Sequence, residues 1–191
     1  MKSKLINTHQ MNGYILTGGL SKRFGTDKAI YMINGITFID KVYNALQNDF
    51  NQIFSVGKKN FSKRMDFVPD FSDSQAAIVG VITALRHTSS KWNFIISVDT
   101  PYISSNIISS LQRETTFINN RIIIPSVNGR ILPLSGFYHQ NCLAHFEAAY
   151  SAQRYKIIDI ISSLKPIIVN LSHYSKQLSN INTPKQIDWR I

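Results

Sequence analysis

The hydrophobic residues in the first half of the chain fall alternately into short apolar runs and longer amphipathic segments. Four short runs are typical of strands, and they lie at 13–17, 53–56, 67–68 and 92–98. Three segments repeat their apolar residues at the helical period, and they lie at 38–46, 77–85 and 107–111. The run at 92–98 is almost continuously apolar, as expected of a parallel strand covered on both faces. This alternation predicts a three-layer α/β sandwich with a mainly parallel, Rossmann-like sheet.

The pattern of the second half is less regular and predicts a more mixed arrangement. Runs at 121–125 and 134–139 indicate strands that flank the turn Asn128-Gly129, a signal typical of a hairpin. The remaining predicted elements are helices at 141–150 and 157–164, a short strand at 167–169 and a short helix that begins at Pro184.

The length of 191 residues suits a single domain. Residues 1–11 are polar and mildly basic, so we expect a flexible extension there and one domain at 12–191. No apolar run approaches the ~20 residues that span a bilayer. Glycines at 18 and 19 also interrupt the first apolar run, so it does not resemble a secretion signal. We therefore expect a cytoplasmic protein that does not associate with a membrane.

The single cysteine, Cys142, excludes an intramolecular disulfide. It lies in a helical pattern and no catalytic motif surrounds it, which favours a small buried side chain over a reactive thiol.

The charge of the chain indicates an anionic partner. Lysine and arginine total 21 against 11 acidic residues, a formal charge of +10. One basic cluster (Lys22, Arg23 and Lys28) lies in a glycine-rich segment, and a second lies at 58–64. The sequence contains no basic stripe interleaved with aromatic residues and no nucleic-acid-binding motif. We therefore expect a phosphorylated small molecule as the partner and not a nucleic acid.

The segment 16–28, after the first predicted strand, has the composition of a phosphate-binding loop. Glycines directly after a strand let backbone N–H groups approach an anion, and nearby lysine and arginine neutralise its charge. A Walker A motif is excluded because Gly25 is followed by Thr26 and Asp27, and the glycine spacing does not fit a Rossmann fingerprint. A surface loop with incidental charge is the alternative, which the density of glycine and basic residues disfavours.

Two carboxylates follow predicted strands. Asp99 comes directly after the run at 92–98, and ligands of open α/β sheets bind beyond the carboxyl ends of strands. A carboxylate there can hold Mg²⁺ together with substrate phosphates. A helix-capping role is the alternative for Asp99. Asp70 follows the run at 67–68, and a solvated loop carboxylate is an equally good interpretation of it.

The segment Asn180-Ile181-Asn182-Thr183-Pro184 combines a helix start with two amide side chains. Thr183 can cap a helix whose first residue is Pro184, where a missing N–H costs nothing. The amides of Asn180 and Asn182 could face a ligand or complete a metal's coordination shell. A cap and turn without any ligand is the alternative.

Taken together, these motifs resemble those of the molybdenum-cofactor guanylyltransferases and their nucleotidyltransferase relatives. The segment 16–28 is similar to the family's Leu-x-Gly-Gly-x-x-x-Arg-x-Gly-x-Asp-Lys loop, with Thr17 and Phe24 in place of Ala and Met. Asp-Thr-Pro after an apolar strand and Asn-x-Asn-Thr-Pro near the C-terminus are further family motifs. One departure is at 76–80, where the family's Gly-Pro-Leu-x-Gly turn is reduced to Gly80 alone.

The resemblance implies a fold of the nucleotide-diphospho-sugar transferase type and a role for each matching residue. It implies that GTP is contacted by Leu16, Thr17, Gly18, Gly19, Lys28, Asp70 and Asp99. Arg23 and Lys28 would hold the triphosphate and stabilise the leaving pyrophosphate, with Asp27 as a candidate to orient Lys28. Asp99 would bind Mg²⁺, the implied cofactor. Asn180 and Asn182 would border the acceptor.

The implied reaction is transfer of GMP from GTP to the phosphate of the molybdopterin-type cofactor, with release of pyrophosphate. GTP and molybdopterin are then the substrates, and molybdenum-cofactor delivery proteins are candidate partners. Two alternatives remain open. One is a related nucleotidyltransferase that forms a CMP or sugar-nucleotide product, and the other is a non-catalytic nucleotide- or RNA-binding relative. The departure at 76–80 leaves the base preference open, because the turn lies near the nucleoside in the family.

Overall fold

An eight-stranded sheet forms the middle layer of the computed structural model, which describes residues 11–18, 24–116 and 121–188. The strands in chain order are β1 (Asn12–Leu16), β2 (Met32–Ile33), β3 (Ile36–Thr37), β4 (Gln52–Gly57), β5 (Asp66–Pro69), β6 (Trp92–Ser97), β7 (Ile122–Val127), β8 (Arg130–Ile131), β9 (Ser135–His139) and β10 (Ile167–Asn170). The α-helices are α1 (Phe38–Leu46), α2 (Ala77–His87), α3 (Ser105–Gln112), α4 (Leu143–Ser151) and α5 (Ile157–Ser163).

The strands are added to the sheet first on one side of β1 and then on the other. The large sheet has the order β10-β7-β9-β6-β1-β4-β5, with β8 paired to the end of β7. Neighbours β5, β4, β1 and β6 are all parallel, whereas β9 is antiparallel to both β6 and β7. The chain moves from β1 towards β4 and β5, and returns to pair β6 on the other side of β1. This arrangement creates a switch point between β1 and β6.

Helices cover both faces of the sheet because side chains alternate along each strand. In β1, Ile15 packs into one apolar cluster with residues of α1 and α3. Its neighbours Tyr14 and Leu16 pack into a second cluster with residues of α2, α4 and α5. In β6, Phe94 and Ile95 divide between the two clusters in the same way. The three-layer sandwich and the mixed, mostly parallel sheet agree with the prediction.

The regular elements of the first half lie where the hydrophobic pattern predicts them. Thr37 caps α1, since its Oγ1 accepts a hydrogen bond from the Asp40 N–H at 3.2 Å. The small antiparallel pair β2 and β3 was not predicted, although Asn34 and Gly35 between them carry the positive φ values of 52° and 78° that such a turn requires.

The strands predicted on the two sides of the turn Asn128-Gly129 are β7 and β9, and they pair antiparallel as the hairpin signal indicates. Two features of this region were not predicted. The turn itself joins β7 to the short β8, and β9 pairs with β6 on its other edge. Met11, the last residue of the expected extension at 1–11, is only 1% exposed, and its carbonyl accepts from the Asn51 N–H. Residues 1–10 lie outside the described part of the chain.

The burial of Cys142 decides between the two roles considered for it, a buried packing residue and a reactive thiol. The side chain is inaccessible to solvent in the second cluster, and its Sγ donates to the Arg121 carbonyl at 3.3 Å. Burial raises the pKa of the thiol to about 12, so Cys142 is a packing residue and not a nucleophile at neutral pH. Among the described helices, none combines the length and hydrophobicity needed to cross a membrane.

Candidate active site at the switch point of the sheet

The carboxyl ends of four parallel strands bring the predicted polar residues to one edge of the sheet. Leu16 ends β1, and its carbonyl accepts from the Val98 N–H at 3.0 Å, which extends the pairing with β6 up to Asp99. Asp70 follows β5, and its N–H donates to the Gly57 carbonyl at 2.9 Å. Because the strands are parallel and adjacent, residues far apart in the sequence share one crevice, the usual ligand site of an open α/β sheet.

Lys28, Asp99 and Asn182 form the polar centre of this crevice. The Lys28 Nζ lies 3.7 Å from Asp99 Oδ2 and donates to Asn182 Oδ1 at 3.1 Å. The side chains of Lys28 and Asp99 are 15% and 18% exposed, so solvent screens their charges only partly. Asp99 Oδ1 is buried and accepts no hydrogen bond within the described part of the chain. The centre therefore contains the positively charged ammonium group of Lys28, held by two neighbours, and an oxygen of Asp99 that accepts no hydrogen bond from the described residues.

The C-terminal motif is attached directly to the turn that carries Asp99. The Ile181 N–H donates to the Asp99 carbonyl at 2.8 Å, and the Thr100 hydroxyl donates to Asn180 Oδ1 at 3.3 Å. Gln186 Oε1 accepts from the backbone N–H of Asn182 at 2.7 Å and so orients that residue. The oxygens of both asparagine amides thus have protein donors, and each links the C-terminal segment to the carboxyl edge of the parallel strands.

The start of the segment 16–28 turns against β4. The backbone N–H and the hydroxyl of Thr17 both donate to the Val56 carbonyl, at 2.8 and 3.0 Å. A Cβ at Gly57 would overlap the Thr17 hydroxyl, so this threonine and Gly57 fit each other. Gly18 follows at the mouth of the crevice, where a Cβ would lie 3.9 Å from Asp70 Oδ2.

The other end of the segment 16–28 is held by aromatic packing. The Phe24 ring lies edge-on to Tyr31 and Phe38, with centroids 4.9 and 5.9 Å apart, and it lies 5.4 Å from the Lys28 Nζ. Phe24 thereby anchors the loop beside Lys28, at the position where the family has methionine. The Asp27 carboxylate forms an ion pair with the Lys59 Nζ at 4.0 Å, and both side chains are exposed. This position fits a turn residue. Gly19 and Arg23 lie outside the described residues.

A pocket adjoins the polar centre on the α2 side of the sheet. Its wall consists of Leu16, Gly18, Val56, Asp70, Ser74, Gln75, Ala76, Ala77, Gly80, Ser97 and Leu134. It therefore includes most of the stretch 76–80 that departs from the family turn. The pocket is largely apolar at the strand ends and polar at its rim, a combination typical of small-molecule sites.

Asp70 is the charged residue of the pocket wall. Its carboxylate is 6% exposed, and Oδ2 lies 3.4 Å from the Lys58 Nζ. Burial raises the pKa of Asp70, while the positive charge of Lys58 beside it acts in the opposite direction. Asp70 Oδ1 is buried without a hydrogen-bond partner in the described part of the chain. This environment contradicts the alternative of a solvated loop carboxylate.

Sequence reasoning did not identify several residues that shape the site. The sequence indicated Lys58 only as one member of the basic cluster at 58–64. No sequence motif pointed to Ser74, Gln75 or Leu134. Gln186 was also missed, although a Gln three residues after Thr183 is part of a capping box and could have been found. Lys58 could not be singled out, because its partner Asp70 pairs with it only through the register of β4 and β5.

Gly80 allows α2 to approach the end of β1. A Cβ at this position would lie 3.2 and 3.3 Å from the two Leu16 methyl carbons. We expect Gly80→Val to lower the free energy of unfolding by about 1–3 kcal/mol, because it overpacks this contact, and to narrow the pocket. Urea denaturation measures the effect. Gly80→Ala is the control: a gain in helix propensity of about 1 kcal/mol offsets a smaller overlap. Equal stability of Gly80→Val and the wild type would contradict the close approach.

Comparison with known families agrees with this architecture. Residues 13–167 match the family model described as the MobA-like NTP transferase domain. The chain is 29% identical to a probable molybdenum cofactor guanylyltransferase from Natranaerobius thermophilus, with 95% of each chain covered. A protein of the same name from Bacillus cytotoxicus is 31% identical over 68% of each chain.

Solved structures share the fold over almost the whole chain. A protein from Aquifex aeolicus has a TM-score of 0.78 at 27% identity, covering 90% of this chain and 93% of that one. The molybdopterin-guanine dinucleotide biosynthesis protein A of Archaeoglobus fulgidus also has a TM-score of 0.78, at 21% identity, covering 92% of this chain and 94% of that one. The second similarity is evidence for the fold alone.

Proposed function

Since this chain belongs to the family of MobA-like NTP transferase domains, and is therefore a nucleotidyltransferase, we propose that it transfers GMP from GTP to the phosphate of a molybdopterin-type cofactor. The observation that carries the proposal is the joining of Lys28, Asp99 and Asn182 beside a pocket at the ends of the parallel strands. The names of its relatives support GTP and a molybdopterin-type acceptor as the substrates. The reaction belongs to the cytoplasm in this proposal, with cofactor delivery proteins as downstream partners.

We propose Mg²⁺ as the cofactor, held by Asp99. The unused, buried Oδ1 of Asp99 suits a hard cation that binds oxygen ligands. No group of three or more His, Cys, Asp or Glu side chains in the described residues could form a cage for a metal. That fits Mg²⁺, which commonly takes one or two carboxylates and completes its shell with water and substrate phosphates. When bound, it would neutralise charge on the phosphates during transfer.

GTP would lie with its nucleoside in the pocket and its triphosphate towards Lys28. Gly18, which carries no side chain at the mouth of the crevice, leaves room for a phosphate chain to pass close to the backbone. Asp70 Oδ1 would accept a hydrogen bond from the nucleoside. Arg23, which lies outside the described residues, would supply a second positive charge to the triphosphate.

The transfer is an in-line displacement at the α-phosphorus of GTP. An oxygen of the acceptor phosphate forms the new P–O bond while the bond to the β-phosphate bridge breaks, and pyrophosphate leaves with the electron pair. The attacking phosphate is already ionised at neutral pH, so no side chain is needed as a general base. Lys28 would stabilise the charge that develops on the leaving group, in a position that Asp99 and Asn182 hold in advance.

Thermal unfolding in the presence of nucleotides tests the proposal first. We expect GTP with Mg²⁺ at a hundredfold excess over its Kd to add about 2.7 kcal/mol of stability, which raises the Tm by roughly 5–11 °C. ATP, CTP and UTP are the comparisons, each with and without Mg²⁺. A larger shift with CTP or UTP would contradict GMP transfer and indicate a related nucleotidyltransferase. No shift with any nucleotide would contradict the proposed function as a whole. If GTP gives the expected shift, an assay of pyrophosphate release with GTP and molybdopterin tests the transfer itself.

A further inference from the structure

Lys58 and Asp70 form an ion pair at the rim of the nucleoside pocket. Lys58 directly follows β4 and Asp70 directly follows β5, so the parallel pairing of these strands brings the two side chains together. The Lys58 Nζ lies 3.4 Å from Asp70 Oδ2 and also donates a hydrogen bond to the Ser72 carbonyl. The Lys58 side chain is 28% exposed, well below the 72% of the adjacent Lys59. The Lys58 ammonium group is therefore held by two residues of the segment that follows β5, and these two contacts are called the Lys58 bridge below.

The Lys58 bridge leaves the two oxygens of the Asp70 carboxylate in different environments. Oδ2 faces Lys58, whereas Oδ1 is buried and accepts no hydrogen bond in the described residues. A buried carboxylate oxygen without a donor is costly unless a ligand supplies one. Asp70 belongs to the pocket wall with Gly18 and Ala76. The unused oxygen is thus the feature of this wall best suited to an N–H or O–H donor of a bound nucleoside.

We infer that Lys58 is a positioning residue for nucleotide binding: it holds Asp70 ionised and oriented, so that Oδ1 serves as an acceptor for a nucleoside donor group. This inference rests on the proposed function, because it takes GTP as the ligand. Lys58 itself does not need to touch the nucleotide. It acts through the carboxylate, by engaging Oδ2 and by supplying the positive charge that offsets the burial of Asp70.

The surroundings of Asp70 determine how binding should depend on pH. Burial raises its pKa, and Lys58 is the charged neighbour that opposes this rise. From α2 the neighbouring polar group is the uncharged Thr83 hydroxyl, and from the end of β1 it is the backbone at Gly18. A protonated Asp70 loses acceptor capacity, so GTP affinity should fall as the pH falls through the pKa of Asp70. Removal of the Lys58 charge should move this loss of affinity to higher pH.

The decisive experiment measures the Kd of GTP from about pH 8 to about pH 5 in the full-length protein. We expect Lys58→Met to weaken GTP binding by up to about tenfold, the value of one charge-assisted hydrogen bond, at pH values where Asp70 is protonated in the variant and still ionised in the wild type. The midpoint of the pH profile should move upwards. Lys58→Arg, which keeps the charge, should restore most of the affinity. Lys63→Met is the matched control, since it removes an exposed lysine of the same basic cluster and experiences the same titration of GTP itself.

Two further measurements separate a positioning role from a merely structural one. In an Asp70→Asn background, Lys58→Met should no longer shift the pH profile, because the amide does not ionise. Without nucleotide, the carboxyl carbon of Asp70 followed by NMR should titrate at higher pH in Lys58→Met than in the wild type. An unchanged profile and titration, or an equal effect in the Asp70→Asn background, would overturn the inference. If the wild type binds no GTP, the proposed function fails, and the NMR titration still decides whether Lys58 holds Asp70 ionised.

Discussion

Asp99→Asn is expected to reduce the rate of nucleotidyl transfer by about a thousandfold. The substitution keeps the size of the side chain and removes the charge that faces the Lys28 Nζ at 3.7 Å. It also replaces one carboxylate oxygen by an amide nitrogen, which cannot coordinate a cation. Both effects act where negative charge must be neutralised during transfer, so kcat should fall more than GTP affinity.

The measurement is kcat and KM for pyrophosphate release, with the GTP-induced rise of Tm recorded with and without Mg²⁺. We expect Asp99→Asn to keep part of the rise with GTP and to lose its dependence on Mg²⁺. Asp159→Asn is the matched control, because Asp159 is 66% exposed and pairs with Lys156 on the surface of α5. Undiminished turnover of Asp99→Asn would refute the assignment of the metal to this carboxylate.

Lys28→Met is expected to lower kcat by about a hundredfold to a thousandfold. Lys28 is held by Asp99 on one side and by Asn182 Oδ1 at 3.1 Å on the other, so its charge is positioned before any nucleotide binds. Methionine has a similar length and can keep the contact with Phe24, which limits the structural change. The loss therefore reports on the charge of Lys28, and it should appear in kcat with a smaller change in KM.

Single-turnover kinetics distinguishes this effect from a loss of binding. Lys28→Arg should recover only part of the activity, because a planar guanidinium cannot replace an ammonium between a carboxylate and an amide. Lys156→Met removes a lysine that is 73% exposed and should leave kcat unchanged. A Lys28→Met enzyme with a raised KM and a normal kcat would mean that Lys28 contributes only to GTP binding.

The positions of the helices and strands of the first half follow from local patterns that the sequence displays openly. The helical period at 38–46 predicts α1, and the apolar run at 92–98 predicts β6 and, with it, the place of Asp99 at a strand end. The glycines and charges of the segment 16–28 predict an anion site after β1. Each of these signals lies within a short stretch of chain, where the spacing of side chains directly reflects the backbone geometry.

The partners of the site residues were decided by the tertiary structure alone. The order of strands brings Asp70 to Lys58, and the return of the C-terminal segment to β6 brings Asn182 to Lys28. The same holds for the second neighbour of β9: the local signal around Asn128-Gly129 predicts its antiparallel pairing with β7, but not its pairing with β6 on the other edge. Local spacing determines which face a side chain occupies, but the contacts across the crevice join residues from distant parts of the chain. Those contacts depend on how the strands are ordered, and the order is a property of the whole sheet, because burial of apolar faces and pairing of strand edges involve all strands together.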